Sequence, residues 1–340
     1  MALFNLKKYK QSGRGQSGHR APVTEARLEC FHFLPPSREA ALFVTHSPDG
    51  HLRPHVPTYL SALAENGIDV YLIVATDCKL SSSHFRGLDF LSGLYVRQNV
   101  GFDFAAWSHI LRVQPLMYHV EVLYLLNDSV IGPNNRQTFH DLLERIRTGT
   151  SAIYGMTDNY EKGWHLQSYF LAVKRTASLS STFRSFMNEI VSETTKEMVI
   201  DRYEVTFATK MRNAGYRAEA LFPSNLPRNP TLYRWKHLIE EGFPFIKVQV
   251  LRDELPGVDR TGWREFLEKH GFNVTVVDQL LGSRIHPEHV TPNQLARSKL
   301  RIWELPLGQF KCKNFTRSCW EKRQGKLIRS IKKRLDRSIE

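Results

Sequence analysis

Apolar residues along this chain come in short blocks with two different periods. Residues 41–44 (Ala-Leu-Phe-Val) form a continuous apolar run that ends at His46 and the turn Ser47-Pro48-Asp49-Gly50, as a buried strand does. Val56, Tyr59, Leu60 and Leu63 then recur at helical spacing and stop at Asn66-Gly67, a helix-ending signal. Residues 68–75 are almost wholly apolar, the pattern of a strand covered on both faces. Strand, helix and strand at this length make a βαβ unit with parallel strands and a right-handed crossover. The alternation continues. Strands are expected at 94–96, 122–126, 153–156 and 169–173, and helices at 102–112, 139–146, 183–191 and 203–211. The fold class is therefore α/β: an open, mostly parallel sheet flanked by helices.

After residue 222 the texture changes. Pro223, Pro227 and Pro230 crowd a stretch that reads as a boundary or long surface connection, followed by helical patterns at 235–241 and 263–269. Four segments are expected: a disordered basic arm (1–22), a ligand-binding α/β domain (23–222), a helical extension packed on it (223–310) and a basic amphipathic tail (311–340). In the tail, Trp320, Leu327, Ile328, Ile331, Leu335 and Ile339 recur at helical spacing among lysines and arginines. Such a helix can lie on an anionic membrane surface, or pack its stripe on the body.

Charge sharpens this picture. The net charge of +13 resides at the ends: residues 1–22 carry five Lys/Arg and no acid, and residues 311–340 carry eleven against three acids. The remainder sums to zero, which argues against nucleic acid as a partner, since phosphate backbones need clustered cations. No apolar run reaches the roughly 18 to 20 residues of a membrane helix. The first residues lack the apolar core of a secretory signal, and Cys30, Cys78, Cys312 and Cys319 form no Cys-x-x-Cys pair. A cytoplasmic protein is expected, peripheral on the inner face of the plasma membrane.

In an open parallel sheet, ligands bind beyond the carboxyl ends of the strands. Three polar stretches stand there. Asn127-Asp128-Ser129 follows an apolar strand. Its carboxylate can hold a hard divalent cation (Mg or Mn) against diphosphate oxygens, though the same residues also make an Asx turn. Arg97, Asn99, Gly101 and Asp103 lie between a strand and a helix. Arg97 can pair with phosphate, Gly101 permits close backbone approach, and the helix start favours an anion; Asp103 equally suits a helix cap. His165, Gln167, Ser168 and Tyr169, after Asp158, form a cluster of the kind that holds sugar hydroxyls, or a hydrogen-bonded turn. Thr76 and Asp77, closing the second strand, are further donor-binding candidates.

Taken jointly, these stretches resemble the rhamnan synthesis protein F family of glycosyltransferases. The resemblance rests on Arg97-x-Asn99-x-Gly101-x-Asp103-Phe104-x-x-Trp107, Asn127-Asp128-Ser129-x-x-Gly132-Pro133 and His165-x-Gln167-Ser168-Tyr169-Phe170. Tyr203-Glu204 before Gly215-Tyr216 adds to it, as does Asn229-Pro230-Thr231 leading through Trp235 to Gly242-Phe243-Pro244-Phe245-Ile246-Lys247. It implies the type A nucleotide-sugar fold, whose Asp-x-Asp metal motif would fall on Asn127-Asp128-Ser129 with one carboxylate instead of two. It also implies Glu204 as general base, with Asp158 and Asp201 as runners-up. The implied donor is dTDP-β-L-rhamnose, the acceptor a hydroxyl of a lipid-linked cell-surface polysaccharide, and the outcome inversion at the anomeric carbon. The alternative is a non-catalytic polysaccharide-binding protein of the same fold. A hydrolase would need a nucleophile with an adjoining base, and the sequence offers none.

Overall fold

The computed structural model describes residues 21–282, apart from Asn225. The expected arm up to residue 20, the end of the extension and the basic tail lie outside the described residues. The described residues fall within one compact unit bounded by Met1 and Arg284.

Among the described residues the central sheet has nine strands, eight of them in one row: β1 (Leu28–Phe33), β2 (Glu39–His46), β3 (Asp69–Ala75), β4 (Gly93–Arg97), β5 (Val122–Asn127), β6 (Ile153–Asn159), β7 (Phe170–Lys174) and β8 (Ala218–Phe222). Their spatial order is β8-β6-β7-β5-β2-β3-β4-β1. Strands β5, β2, β3 and β4 are mutually parallel, and β8 is parallel to β6. Strand β7 is antiparallel to both β5 and β6, and β1 is antiparallel to β4. The sheet is thus mixed and mostly parallel, with helices on both faces.

Side-chain alternation along β2 explains both layers. Leu42 and Val44 point into a core that contains Phe104, Trp107 and Ile110 of α2 (Phe102–Val113). Ala41 and Phe43 point into the opposite core, with Tyr59 and Leu60 of α1 (Val56–Glu65) and Phe139 and Leu143 of α3 (Arg136–Thr148). Trp107 is fully buried, and its indole N–H donates to the Leu42 carbonyl at 3.1 Å, so this motif residue pins a helix to the sheet.

One boundary of the sequence reading shifts. Ala21–Pro22, expected in the basic arm, pairs antiparallel with Val191–Ser192, and Val23 is fully buried. Residues 223–282 pack against the sheet domain. Leu238, Phe243 and Phe245 join the core around α1 and α3, and Ile246–Lys247 pairs antiparallel with Val130–Ile131, just beyond β5. Close approach fixes this junction: Gly132 lies at φ +142°, and a side chain there would strike the Pro244 carbonyl and the Phe245 ring.

Candidate active site

Strand directions decide what meets at the rim. The carboxyl ends of β2, β3, β4 and β5 lie together because these strands are parallel. Because β7 runs the other way, its beginning lies on the same rim, where Phe170 pairs with Leu126. The two-residue strand His165–Leu166 pairs back onto Asp158–Asn159 there. Three separate polar stretches therefore converge on one edge.

Glu204 sits in a π-helical turn, Ile200–Glu204, between two α-helical segments. Its Oε2 accepts from the backbone N–H of Ser168 at 3.1 Å and from the Ser168 hydroxyl in a short bond. Its Oε1 lies 3.7 Å from Nε2 of His165, whose side chain is 2 % exposed while that of Glu204 is 16 % exposed. Nδ1 of His165 donates to the Gly163 carbonyl at 2.8 Å, which fixes the ring's orientation. The carboxylate is thus held from behind and keeps a wet face.

The other carboxylate candidates stand differently. Asp158 is buried; it accepts from the Ser224 N–H at 2.6 Å and the Trp164 indole at 2.9 Å, tying a loop to β6. Asp201 is exposed and paired with Lys162. Gln167 and Tyr169, expected to hold sugar, turn inward. The Thr157 hydroxyl donates to Oε1 of Gln167 at 2.8 Å and lies 2.7 Å from the Tyr169 hydroxyl, and the Thr231 hydroxyl reaches Gln167 at 3.5 Å. Only His165 and Ser168 of that cluster face Glu204.

At the end of β5, Asn127 accepts from the N–H and hydroxyl of Ser129 at 3.0 and 2.6 Å, the Asx turn the residues permit. Its amide donates to Asp103 at 2.5 Å, and burial pushes the Asp103 carboxyl above its usual range. One oxygen of Asp128, Oδ2, has two hydrogen-bond donors and one ion-pair partner. The Thr45 hydroxyl is at 2.6 Å, the His46 N–H at 3.2 Å and Nε of Arg53 at 3.4 Å. The Asp128 carbonyl meets Nε2 of His55 at 2.9 Å, a ring that burial holds below its ordinary pKa.

Arg97 departs from the expectation of a phosphate-binding residue. It is fully buried, and its guanidinium donates to the carbonyls of Gln98, Val100 and Val23 and to Nδ1 of His109. Burial lowers it to about 10. It shapes the loop after β4 instead of facing a ligand. Gly101, at φ +79°, approaches backbone, since a side chain there would meet Ser192. Asn99 links three strand ends: its N–H donates to Asp77 at 3.4 Å and its amide to His46 at 3.0 Å. Asp77 is exposed, whereas Thr76 is buried and caps the N–H of Cys78 at 3.1 Å. A cavity of about 530 Å³ opens beside this turn, lined by Asn99, Gly101, Phe102, Ser192 and Glu193 among others; Asp128 and Glu204 are not in its lining.

Two cations at the rim went unassigned in the sequence reading. Lys247 closes the apolar run 243–246 and pairs across to Val130; the next N–H, of Val248, donates to the Ser129 carbonyl at 2.9 Å. Its ammonium lies 5.6 Å from the centre of the Tyr169 ring. Burial lowers it to about 8, against the opposing pull of Glu204 and Glu161 and with the repulsion of Lys196. Lys196 also acts on Asp103. Lys196 thus acts on both Asp103 and Lys247, and Asp128 is two residues from Val130, the partner of Lys247. Arg53 follows the turn after β2 and could have been suspected only once Asp128 was known to face it.

The divalent cation expected at Asp128 does not fit this arrangement. Small hard cations take one or two free carboxylates together with substrate phosphate. Here a guanidinium already stands at Oδ2, and the neighbouring Asp103 carboxyl is buried against the Asn127 amide. Among the described residues, no three His, Cys, Asp or Glu side chains converge as metal ligands would.

Virulence protein VirA of Vibrio anguillarum, including strain ATCC 68554 / 775, is 25% identical over 224 residues, covering 55% of this chain and 67% of that protein. A mannosyltransferase from Pyrobaculum calidifontis, PcManGT, solved with GDP-Man and Mn2+, aligns over 78% of this chain and 79% of its own at 14% identity, with a TM-score of 0.36, too loose a likeness to bear on ligand or chemistry. The sequence model of rhamnan synthesis protein F matches residues 72–278, which take in every resemblance motif from Arg97 to Lys247. On that match the chain belongs to the rhamnan synthesis protein F family.

Proposed function

We propose that this protein is a glycosyltransferase that moves a deoxyhexose from a nucleoside-diphosphate sugar to a hydroxyl of a growing polysaccharide. The observation that carries the reading is Glu204: a half-enclosed carboxylate, oriented by Ser168 and His165, on the strand-end rim where an α/β sheet receives ligands. Membership in a rhamnan synthesis family favours rhamnose as the sugar, with dTDP-β-L-rhamnose as donor, and a lipid-linked acceptor.

The reaction is a single displacement. The acceptor oxygen attacks the anomeric carbon and its proton passes to Glu204. The bond from that carbon to the diphosphate oxygen breaks, and its electron pair leaves with the diphosphate. Attack opposite the leaving group inverts the centre and gives an α-rhamnoside. Ser168 and His165 hold the base in place, so that it meets the acceptor in one orientation. No helix among the described residues is long and apolar enough to cross a membrane. Contact with a lipid-linked acceptor is assigned to the basic tail, residues 311–340, and to an anionic membrane surface.

A screen of dTDP-, UDP- and GDP-sugars by thermal shift, followed by an assay of donor turnover with polysaccharide acceptor, tests the reading. Stabilisation by one nucleotide class together with acceptor-dependent release of the diphosphate is expected. Stabilisation by polysaccharide alone, with no donor binding or turnover, would support a binding protein instead.

A further inference from the structure

The leaving diphosphate carries two to three negative charges, and an enzyme of this kind must neutralise them as the bond breaks. The residues near Asp128 are poor metal ligands, yet the same rim is rich in cations. Arg53 is 3.4 Å from Asp128 and one fifth exposed at its side chain. Lys247 is placed by the backbone pairing of Val130–Ile131 with Ile246–Lys247, directly behind the Asn127-Asp128-Ser129 turn. No carboxylate among the described residues comes within ion-pair distance of its ammonium, which is held over the Tyr169 ring.

We propose that Lys247 and Arg53 together receive the leaving diphosphate, and that the transfer proceeds without a divalent cation. This rests on the nucleotide-sugar reading above. Each part of the geometry contributes. The Thr45 hydroxyl and the His46 N–H fix Asp128, and Asp128 holds Nε of Arg53 at 3.4 Å, with the Arg53 side chain about one fifth exposed. A guanidinium offers several donors in a plane and suits two phosphate oxygens at once; an ammonium is a compact point charge that suits a third. Lys247 is set apart from Glu204, so the base is not neutralised by direct pairing, while the two remain close enough to interact. Burial makes the free ammonium costly, and a bound diphosphate relieves that cost. Lys247 is thus assigned a ligand-binding role, one the Gly242 to Lys247 motif did not reveal.

The test is calorimetric titration of dTDP, UDP and GDP into the full-length protein, once with EDTA and once with manganese. One of the three is expected to bind in EDTA, with manganese changing the dissociation constant by less than about threefold. Lys247→Ala and Arg53→Ala are each expected to weaken that binding about tenfold or more, as loss of a charge-assisted hydrogen bond does. Melting curves confirm that each variant is folded, and the comparison of EDTA with manganese on the unmodified protein does not depend on them. Binding only in manganese would overturn the inference while leaving the glycosyltransferase reading in place. Binding of no nucleotide in either medium would overturn both.

Discussion

Both ends of the central sheet carry buried charge, and they treat it in opposite ways. At the amino end of β2, Glu39 meets Arg147 through contacts of 2.8 to 3.2 Å, and the Tyr124 hydroxyl donates to the same carboxylate at 3.3 Å. Both charges of this pair close on each other. At the carboxyl end, Asp128 is shared by two donors and a guanidinium, Glu204 is held from behind by a serine and a histidine, and no carboxylate among the described residues comes within ion-pair distance of Lys247. A closed pair does only structural work. Charges left facing outward at a strand-end rim are what a charged ligand would complete. The difference separates a site from a staple without reference to sequence similarity.

Breaking each end should therefore have different consequences. The largest effect is expected from Glu204→Gln, which keeps the side chain's shape and removes the base. Turnover should fall about 100- to 10,000-fold with little change in melting temperature, measured by release of nucleoside diphosphate and by thermal unfolding. Near-normal transfer would remove Glu204 from the role. Glu39→Ala should do the converse, stranding Arg147 and lowering stability by about 3–5 kcal/mol in urea unfolding, with transfer per folded molecule unchanged.

A third prediction sharpens the boundary between the two kinds of charge. Arg97 lies at the rim yet is closed, donating to His109 at 3.3 Å, and burial beside Arg97 and Arg112 lowers that histidine from 6.5 to about 4. Between those values the unfolded chain holds a proton that the folded protein does not. Stability should thus decline as pH falls from 6.5 to 4, by about 3 kcal/mol at most. His109→Asn should flatten that slope; a slope of unchanged size would show that His109 is not its source.

The smallest effect concerns Lys247. Its ammonium faces Glu204, Glu161, Lys196 and the Tyr169 ring, and it loses its proton near pH 8. Because the charged form is the one that would attract diphosphate, nucleotide affinity should weaken as pH rises through about 8. Lys247→Arg, which stays charged, should abolish that fall. An identical pH profile in the arginine variant would assign the titration to another group.

Much of the fold was legible because apolar runs and helical spacing report burial directly. Strand direction was not: nothing in Phe170-Leu171-Ala172-Val173 says that β7 runs against its neighbours, yet that reversal brings Ser168 to Glu204. Strand β1 escaped notice because it is an edge, half exposed and of mixed character. At the site, residue type proved a weaker guide than surroundings. An arginine after a strand reads as a phosphate ligand, but the guanidinium of Arg97 turns inward onto carbonyls. The motif ending in Lys247 carries no sign of where its charge lies, and pairing with Val130 sets it at the rim. Family resemblance pointed to stretches of chain, and only the packing distinguished side chains that face outward from those that hold the stretches together.

The central claim is that the carboxyl-end rim receives a nucleotide sugar between Asp128 and Glu204. A crystal structure of the protein soaked with dTDP in the presence of EDTA tests it most directly. The account predicts diphosphate oxygens within hydrogen-bond distance of Lys247 and Arg53, with Glu204 facing the space beyond the terminal phosphate. A nucleotide seated wholly elsewhere, such as in the cavity beside Gly101 and Ser192 with its phosphates turned away from Lys247, would contradict it.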